Sequence, residues 1–561
     1  MQYSIIFKLE SGGDHKVSAA FGDNILNLAI QEGIAIDAPC SGNGTCGKCR
    51  VRIISGVVDV IPNTHLSQED FDDGWRLACQ CTVAGDAMFL VPASAGAFKK
   101  GIQTADLSSP KETAMYEEAM DSIFSAGIDR GVACSADGDY GIAVDIGTTT
   151  VTAALIDLQT GKIKSKASAG NGQIRYGADV INRIIQSSKP GGREKLRRAV
   201  CEETLVPMIQ TMCKDGGVDP MSVKRCVIAA NTTMEHLFVG EDAESIRLEP
   251  YVPAFLELHG KTAKDVFLPI NPDAKMIFAP NVGSYVGGDI TAGTLTTMLW
   301  NSEELSLFID LGTNGELVYG NGDFMLCCAC SAGPAFEGGD ISCGMRATTG
   351  AIEACSIDEE TMEPSYVIVG EEGTKPVGLC GSGLIDVISE LFRCGIINAK
   401  GKFAKEGRRI RRDEYGASYV LAFADESGNG KDVEINEIDL DNFIRAKGAI
   451  FSAIRSMLNS LDMTVDFIDH IYIAGGIGSG IDIEKAISIG MLPKTDIEKY
   501  KYIGNSSLMG ACAMLLSDGA EEKVFDIGRN MTYLELSIHP GYMDEFVAAC
   551  FLPHTDSSLF E

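Results

Sequence analysis

A polar turn between two apolar strands occurs twice in this chain of 561 residues. The first copy reads GIAVDIGTTTVTAALID from Gly141, and the second reads SLFIDLGTNGELVYG from Ser306. Each copy has an apolar strand, an Asp-x-Gly-Thr turn and a second apolar strand, which is the pattern of a β-hairpin. Two copies of one hairpin predict two lobes of similar α/β fold, and this is the strongest constraint on the architecture.

The tips of these hairpins carry groups that suit phosphate. Glycine and threonine at a tight turn present backbone N–H groups and hydroxyls to phosphate oxygens, and a carboxylate beside them can hold Mg²⁺ through water. On its own, each motif is equally compatible with an ordinary β-turn. The groups at these tips are Asp145, Gly147, Thr148 and Thr149 in the first copy, and Asp310, Gly312, Thr313 and Asn314 in the second.

A third motif, IYIAGGIGSG, follows the second hairpin at the same interval that separates the two hairpins. The order of the three motifs resembles the phosphate-1, phosphate-2 and adenosine motifs of the acetate and sugar kinase, heat-shock-70 and actin superfamily. The resemblance implies that ATP lies between two lobes. It makes Gly147, Thr148, Thr149, Gly312, Thr313 and Asn314 the phosphate contacts, and Asp145 and Asp310 the catalytic carboxylates that serve Mg²⁺ or water. It places the adenosine beside the glycines of the third motif, which are Gly475, Gly476 and Gly478.

Three cysteines near the N-terminus stand in a glycine-rich run, PCSGNGTCGKCRVRIISG, with C-x5-C-x2-C spacing. Glycines let the backbone wrap closely around an iron-sulfur cluster and aim N–H groups at its sulfide. Zinc is the alternative, but zinc ribbons favour two short C-x2-C knuckles and this run has only one. The expected ligands in the run are Cys40, Cys46 and Cys49.

The surrounding pattern predicts a hairpin, a helix with Asp23 as its N-cap and Gly33 at its end, and two later strands. This order resembles the β-grasp [2Fe-2S] ferredoxins over residues 1–95, and RLACQ resembles their fourth-ligand segment. The resemblance implies that Cys79 is the fourth ligand. Cys81, two positions further on, remains an alternative.

The composition excludes several classes of partner and location. The chain has 78 acidic and 47 basic residues, giving a formal charge of −31, so nucleic acid and anionic membrane surfaces are repelled. No stretch approaches the roughly 18 uninterrupted apolar residues of a membrane span, and the first residues lack the pattern of a secretory signal. We therefore expect a cytoplasmic protein with no nucleic-acid partner and no membrane association.

Further segments, among them GQIRYGADVINRI, NTTMEHL, GLCGSGLID and IGNSSLMGA, resemble those of the reductive activators of corrinoid proteins, also called ATP-dependent corrinoid reductases. The resemblance spans essentially the whole chain. It implies one-electron, ATP-dependent reduction of an inactive Co(II) corrinoid protein to Co(I), which reactivates a corrinoid-dependent methyltransferase system. It also implies a low-potential ferredoxin or flavodoxin as electron donor and allows a homodimer. The alternatives are a phosphotransferase or an ATP-gated regulatory protein with a redox-sensing [2Fe-2S] domain.

The predicted architecture is therefore an α/β multidomain chain whose implied cofactors are a [2Fe-2S] cluster, ATP and Mg²⁺. The loop SAGPAFEGGDISCGM is a candidate contact for the corrinoid protein because Phe336 could meet the macrocycle, and a buried turn between the lobes is the alternative. The expected domains are a ferredoxin-like domain over 1–95, a linker over 96–138, and two lobes of an actin-like, heat-shock-70-like ATP-binding domain over 139–305 and 306–561.

Overall fold

The computed structural model describes residues 2–10, 12–34, 36, 38, 42, 44, 47–62, 66, 68–92, 102–104, 110–132, 138–413, 416–476 and 480–560. Over these ranges the chain forms one five-stranded sheet, two six-stranded sheets and two three-stranded sheets. Three of the predicted site residues, Cys40, Cys46 and Gly478, lie outside the described residues.

The N-terminal sheet has one parallel pair of strands among antiparallel neighbours. Its strand order is β2-β1-β5-β3-β4, in which β1 runs parallel to β5. This mixed order is the β-grasp arrangement expected from the sequence. The elements are β1 (Gln2–Leu9), β2 (Asp14–Ala20), α1 (Ile25–Gln31), β3 (Arg50–Val60), α2 (Gln68–Asp72), β4 (Trp75–Leu77) and β5 (Cys81–Val91).

The first helix begins one residue later than predicted. The Asn24 side chain accepts a hydrogen bond from the Asn27 N–H and is therefore the N-cap of α1. Asp23, the expected cap, instead accepts from the Ala20 N–H at 2.7 Å and fixes the preceding turn. Gly33 ends the helix as expected, with a φ of +69° that glycine adopts without strain.

The next sheet has the order β11-β10-β7-β8-β9-β6. Strands β7, β8 and β9 form an antiparallel meander, and β10 and β11 continue parallel to β7. The elements are β6 (Gln103–Thr104), α3 (Pro110–Ser125), β7 (Tyr140–Ile146), β8 (Thr150–Asp157), β9 (Ile163–Gly170), α4 (Val180–Ser187), α5 (Gly192–Val200), α6 (Val206–Gly216), β10 (Val223–Ala230), α7 (Thr232–Val239), α8 (Glu244–Arg247), β11 (Lys275–Phe278) and α9 (Gly288–Thr297).

The last large sheet has the order β22-β21-β12-β13-β14-β23, and the small sheets have the orders β16-β15-β17 and β18-β19-β20. The elements are β12 (Ser306–Leu311), β13 (Gly315–Gly320), β14 (Met325–Cys330), β15 (Ala351–Ile357), β16 (Pro364–Ile368), β17 (Gly378–Leu379), α10 (Gly381–Arg393), β18 (Ile410–Asp413), β19 (Gly416–Ala422), β20 (Val433–Asn436), α11 (Glu437–Ser460), β21 (His470–Ala474), α12 (Ile483–Ser488), β22 (Tyr500–Tyr502), α13 (Ser506–Leu516), α14 (Asp518–Asn530), β23 (Met531–Tyr533) and α15 (Tyr542–Ala549).

Five strands of each six-stranded sheet share one topology, and the edge strands differ, since β6 runs antiparallel to β9 whereas β23 runs parallel to β14. In the second sheet β12, β13 and β14 form the antiparallel meander, and β21 and β22 continue parallel to β12, as β10 and β11 do beside β7. The repeated hairpin thus marks two lobes of similar fold, as predicted. A shared hydrophobic core joins the lobes and includes Ala143 and Val227 from the first sheet and Phe308 and Val318 from the second.

Helix α13 closes this shared core. All of its residues are buried, and Leu515 lies where a Cβ on Gly141 would approach within 2.7 Å. Gly141, the second residue of β7, therefore allows the helix to pack closely against the first sheet. Among the helices in the described ranges, none combines the length and the apolar character needed to cross a bilayer.

Candidate functional site

The tips of the two predicted phosphate hairpins meet each other. In each hairpin the turn glycine closes the tip with its N–H, which donates at 3.0 Å to the Thr150 carbonyl in the first and to the Asn314 carbonyl in the second. The hydroxyl oxygens of Thr149 and Thr313 lie 2.9 Å apart. The structure therefore brings both predicted phosphate motifs to one point between the lobes.

Asp145 is the penultimate residue of the first strand of its hairpin and lies next to the N-terminus of α13. Its carboxylate accepts hydrogen bonds from the Asn505 side-chain amide and the Ser507 hydroxyl, each at 2.9 Å. Asn505 is also the N-cap of α13, since its side-chain oxygen accepts from the Leu508 N–H. Burial raises the pKa of Asp145, although these two side chains oppose the shift.

Asp310 lies on the equivalent strand, directly opposite Glu316 in the pairing of β12 with β13. Burial, with the charge of Asp145 as the second cause, raises the pKa of Asp310 to about 7. Burial likewise raises the pKa of Glu316 well above its usual value and that of Asp289, in the first turn of α9, to about 8. Negative charge is thus crowded at the floor of the cleft, which favours a cation there.

This donor set fits Mg²⁺ bound through water and phosphate. Among the described residues, no three His, Cys, Asp or Glu side chains converge closely enough to form a metal site by themselves. Mg²⁺ keeps several waters and takes one or two carboxylates together with substrate phosphates, so a complete protein cage is not required. Asp145 and Asp310 are the carboxylates that would hold it.

The third motif lies beside the second hairpin. Gly475 has a φ of +98°, and a Cβ there would approach the Leu311 carbonyl within 2.2 Å and the Asp310 carboxylate within 3.1 Å. Only glycine fits this position, because of the positive φ and the close Leu311 carbonyl. The Gly475 N–H donates to the Gly504 carbonyl at 3.1 Å. A Cβ on Gly476 would meet no atom within 4 Å, which leaves open space beside the cleft.

Sequence reasoning missed Arg183, which supports the first hairpin from behind. Its guanidinium is fully buried and donates to the carbonyls of Thr148 and Gly177. Burial lowers the pKa of Arg183 to about 9, against the opposing charges of Asp179 and Glu337, so the group stays charged at neutral pH. An arginine among the apolar residues of a short helix gives no signal by itself, so the sequence could not have revealed it.

Asp289 was missed as well, although its sequence context contains a signal. It follows a Gly-Gly pair, and a Cβ on Gly287 would approach the Thr232 nitrogen within 2.4 Å, while a Cβ on Gly288 would approach the Ala279 carbonyl oxygen within 2.4 Å. The two glycines thus let the N-terminus of α9 approach the ends of β10 and β11. An acidic residue directly after such a pair, at the start of a helix, could have been proposed as part of the cleft.

The loop over 331–345 lies between the lobes with Ala335 and Phe336 buried, which agrees with the alternative interpretation of the sequence, although Ser331 and Ser342 are exposed. Phe336 is 1% exposed and packs against the Phe443 ring with centroids 5.5 Å apart, so it cannot meet a corrinoid macrocycle as predicted. The adjacent Glu337 accepts hydrogen bonds from the hydroxyls of Thr149 and Thr313 at 2.7 and 2.9 Å. This carboxylate reaches both hairpin tips and was also missed.

The described part of the cysteine site has two converging thiols. The sulfurs of Cys49 and Cys79 lie 3.2 Å apart, well beyond the ~2.05 Å of a disulfide, and both residues are buried. Gly42 and Gly44 have φ values of +90° and +77°. A Cβ on Gly42 would lie 3.7 Å from the Cβ of Cys79, so the loop passes close to this cysteine.

These residues fit an iron-sulfur cluster. Unbonded sulfurs that approach one point within a glycine-lined loop can share a metal centre. The geometry supports Cys79 as the fourth ligand, because Cys81 begins β5 with its side chain fully buried in the sheet.

Comparison with known families agrees with this arrangement along the chain. Residues 304–561 match the model described as the C-terminal domain of RACo, the ASKHA domain, and residues 140–302 match the RACo middle region. Residues 9–84 match the 2Fe-2S iron-sulfur cluster binding domain. The N-terminal part is therefore a [2Fe-2S] ferredoxin domain, and residues 304–561 form an ASKHA domain.

Individual proteins of known structure or curated role give the same result. The chain is 35% identical to the corrinoid activation enzyme RamQ of Eubacterium limosum, over 73% of this chain and 69% of that protein. It is 25% identical to a [Co(II) methylated amine-specific corrinoid protein] reductase of Methanosarcina barkeri, over 70% of this chain and 73% of that one.

A solved structure titled reductive activator for corrinoid, iron-sulfur protein covers 100% of this chain and 99% of its own, with 40% identity and a TM-score of 0.71. The likeness therefore extends over the cysteine loop, both hairpins and the C-terminal helices together. On these grounds the chain belongs to the RACo family, the reductive activators of corrinoid proteins.

Proposed function

We propose that this protein uses ATP to reduce the inactive Co(II) form of a corrinoid protein by one electron to Co(I), and thereby reactivates a corrinoid-dependent methyltransferase system. The observation that carries the proposal is the meeting of two phosphate-type hairpins, at 2.9 Å between Thr149 and Thr313, in a chain that also has a cysteine loop for a [2Fe-2S] cluster. The named relatives act on corrinoid proteins.

In this proposal the two lobes hold Mg²⁺ and ATP. The hairpin tips donate backbone N–H groups and hydroxyls to the phosphates, Asp145 and Asp310 hold the Mg²⁺ through water, and the space beside Gly476 accepts the adenosine. Arg183 keeps the first tip in place through the Thr148 carbonyl and supplies a positive charge behind it. Burial raises the pKa values of the cleft carboxylates. The positive charge of a bound cation acts in the opposite direction and favours the ionised forms.

Cys40, Cys46, Cys49 and Cys79 hold the [2Fe-2S] cluster, which when bound supplies the single electron at low potential. Transfer to Co(II) is unfavourable because Co(I) is a very strong reductant. ATP can offset this unfavourable electron transfer only by differential binding. The states of the protein that bind the corrinoid partner must differ in their affinity for ATP. A low-potential ferredoxin or flavodoxin is the proposed donor, and the homodimer, the cytoplasmic location and the domain boundaries stay predictions.

The test combines the reconstituted full chain, a Co(II) corrinoid protein and a chemical reductant under anaerobic conditions. We expect the absorption band of Co(I) to appear with Mg²⁺ and ATP and to stay absent when ATP is omitted. Asp310→Asn should lose this response, while the exposed variant Asp425→Asn should keep it. Equal Co(I) formation with and without ATP would contradict the proposal. Consumption of ATP on a small-molecule acceptor without any Co(I) would favour a phosphotransferase instead.

A further inference from the structure

The Glu337 carboxylate occupies the point where the two hairpin tips meet. One of its oxygens lies 2.7 Å from the Thr149 hydroxyl and 2.9 Å from the Thr313 hydroxyl, and those hydroxyls are 2.9 Å from each other. Three oxygens on three different segments therefore form a closed triangle between the lobes. In the proposed function the same two hydroxyls contact phosphate, so Glu337 and a phosphate group cannot both hold them.

The triangle has fewer hydroxyl protons than oxygen–oxygen contacts. Each threonine hydroxyl has one proton to donate, and a carboxylate only accepts, so two protons serve three short oxygen contacts. One contact in every arrangement is therefore made without a hydrogen bond. A phosphate group offers several acceptor oxygens, and each threonine could then donate to an oxygen of its own. The arrangement without nucleotide is thus less well satisfied than one with phosphate in the same place.

The charges around the triangle favour an anion at this point. Arg183 is fully buried behind the first tip, and no ion pair is formed by this side chain within the described part of the chain. Glu337 is one of the two acidic groups whose negative charge acts to raise the pKa of Arg183. An anion at the tips is therefore attracted by this buried cation, and Glu337 provides that anion from within the chain.

Glu337 is also linked to the iron-sulfur domain through a short loop. The loop closes on itself, because a Cβ on Gly344 would approach the Gly338 carbonyl oxygen within 2.3 Å. The Ile341 carbonyl within it accepts a hydrogen bond at 3.0 Å from the ammonium group of Lys48, next to the expected cluster ligand Cys49. Only three residues separate Glu337 from Ile341, so the two contacts lie on one compact segment.

We propose that Glu337 is a built-in competitor of the nucleotide, which holds both hairpin tips in the place of a phosphate group until ATP displaces it. Displacement of Glu337 shifts the loop from Gly338 to Gly344 and loosens the contact between Ile341 and Lys48. This inference rests on the proposed function, because it takes the cleft to bind ATP. It assigns Glu337 as a positioning residue that links binding of ATP in the cleft to the contact between Ile341 and Lys48 of the iron-sulfur domain.

The first test is the affinity for ATP and ADP with Mg²⁺, measured by calorimetry on the full chain. A neutral amide keeps the shape of Glu337 but loses the charge-assisted hydrogen bonds, which are roughly twice as strong as neutral ones. We expect Glu337→Gln to bind ATP about fivefold to tenfold more tightly than the wild type. Glu337→Asp, shorter by one methylene, should tighten binding by a smaller factor. Glu498→Gln, at an exposed position of the same lobe, is the matched control and should not change the affinity.

The second test is the reactivity of Lys48 towards a soluble acetylating reagent, read by mass spectrometry. We expect ATP to increase labelling of Lys48 in the wild type, whereas Glu337→Gln should show the higher level without nucleotide. Labelling of the exposed Lys8 should stay constant throughout.

The outcomes separate the inference from the function on which it rests. Unchanged or weaker ATP binding in Glu337→Gln would overturn the competitor role while leaving the ATP cleft in place. Tighter binding with no change at Lys48 would overturn the link to the iron-sulfur domain. A wild-type chain with no affinity for adenine nucleotides would overturn the proposed function and this inference with it.

Discussion

Replacing Asp310 by asparagine tests the electrostatics of the cleft most directly. Burial, with the charge of Asp145 as the second cause, raises the pKa of this carboxyl from 3.8 to about 7 in the folded chain. Between these values the folded state binds a proton that the unfolded state has lost. The free energy of unfolding therefore decreases as the pH rises through this window, and the whole loss is present above about pH 7.

The magnitude follows from the shift. About three pKa units correspond to about 4 kcal/mol, at 1.36 kcal/mol per unit. Asp310 is only partly buried and borders the cleft, so solvent screening reduces this to about 1–2 kcal/mol. Asparagine keeps the shape without the charge and also removes a repulsion that acts on Asp289 and Glu316. At pH 8 we expect Asp310→Asn to unfold about 1–2 °C above the wild type, because the two lobes share one core and unfold with a large entropy change, and to lose Mg²⁺-dependent binding of ATP.

The assay is thermal unfolding at pH 5 and pH 8 without nucleotide. The relevant transition is the one that Mg²⁺ and ATP shift upward in the wild type, since a ligand stabilises the part that it binds. Asp425→Asn, at an exposed position, controls for a general effect of removing one negative charge. A midpoint for Asp310→Asn at or below the wild type at pH 8 would refute the reasoning. Equal declines from pH 5 to pH 8 in both proteins would refute it too.

Three further predictions concern other parts of the chain. Cys79→Ser should abolish the visible absorption of the reconstituted [2Fe-2S] cluster, whereas Cys81→Ser should retain it; the opposite result would exchange their roles. Gly475→Ala should reduce ATP binding at least about tenfold in calorimetry, because its Cβ would lie 2.2 Å from a backbone carbonyl; unchanged binding would contradict the placement of the third motif. Arg183→Met leaves the buried carbonyl of Thr148 without this donor, at a cost of about 1–3 kcal/mol, and should lower both the unfolding midpoint and the affinity for ATP. Loss of stability with unchanged affinity would limit Arg183 to a structural role.

Local pattern was enough to predict the parts of the cleft that consist of neighbouring residues. The hairpin tips at Gly147 and Gly312 are closed by hydrogen bonds across a few residues, so strand and turn composition predicts them. The predicted N-cap of α1 was wrong, because Asp23 and Asn24 are both good caps. The choice between them depends on which N–H groups each side chain can reach. The roles given to the predicted site residues stay predictions.

Arg183 shows why pattern misleads elsewhere. In VINRIIQS two apolar pairs have the same spacing: Val180 and Ile184 are buried, whereas Ile181 and Ile185 are exposed. The pattern does not say which pair faces the core, nor that Arg183 is fully buried beside it. A buried guanidinium needs acceptors from other segments, and these are backbone carbonyls that no side-chain pattern reveals.

By itself the sequence determined two similar lobes, two glycine-threonine tips and a glycine-rich cysteine loop, because each depends on contacts between residues close in the chain. Only the tertiary structure decided that Thr149 and Thr313 would touch, that Glu337 would lie between them, and that carboxylates would be crowded below. Those contacts join segments far apart in sequence, and they form when the lobes pack against each other around their shared core. Their geometry comes from that packing, which leaves no periodic signal in the chain.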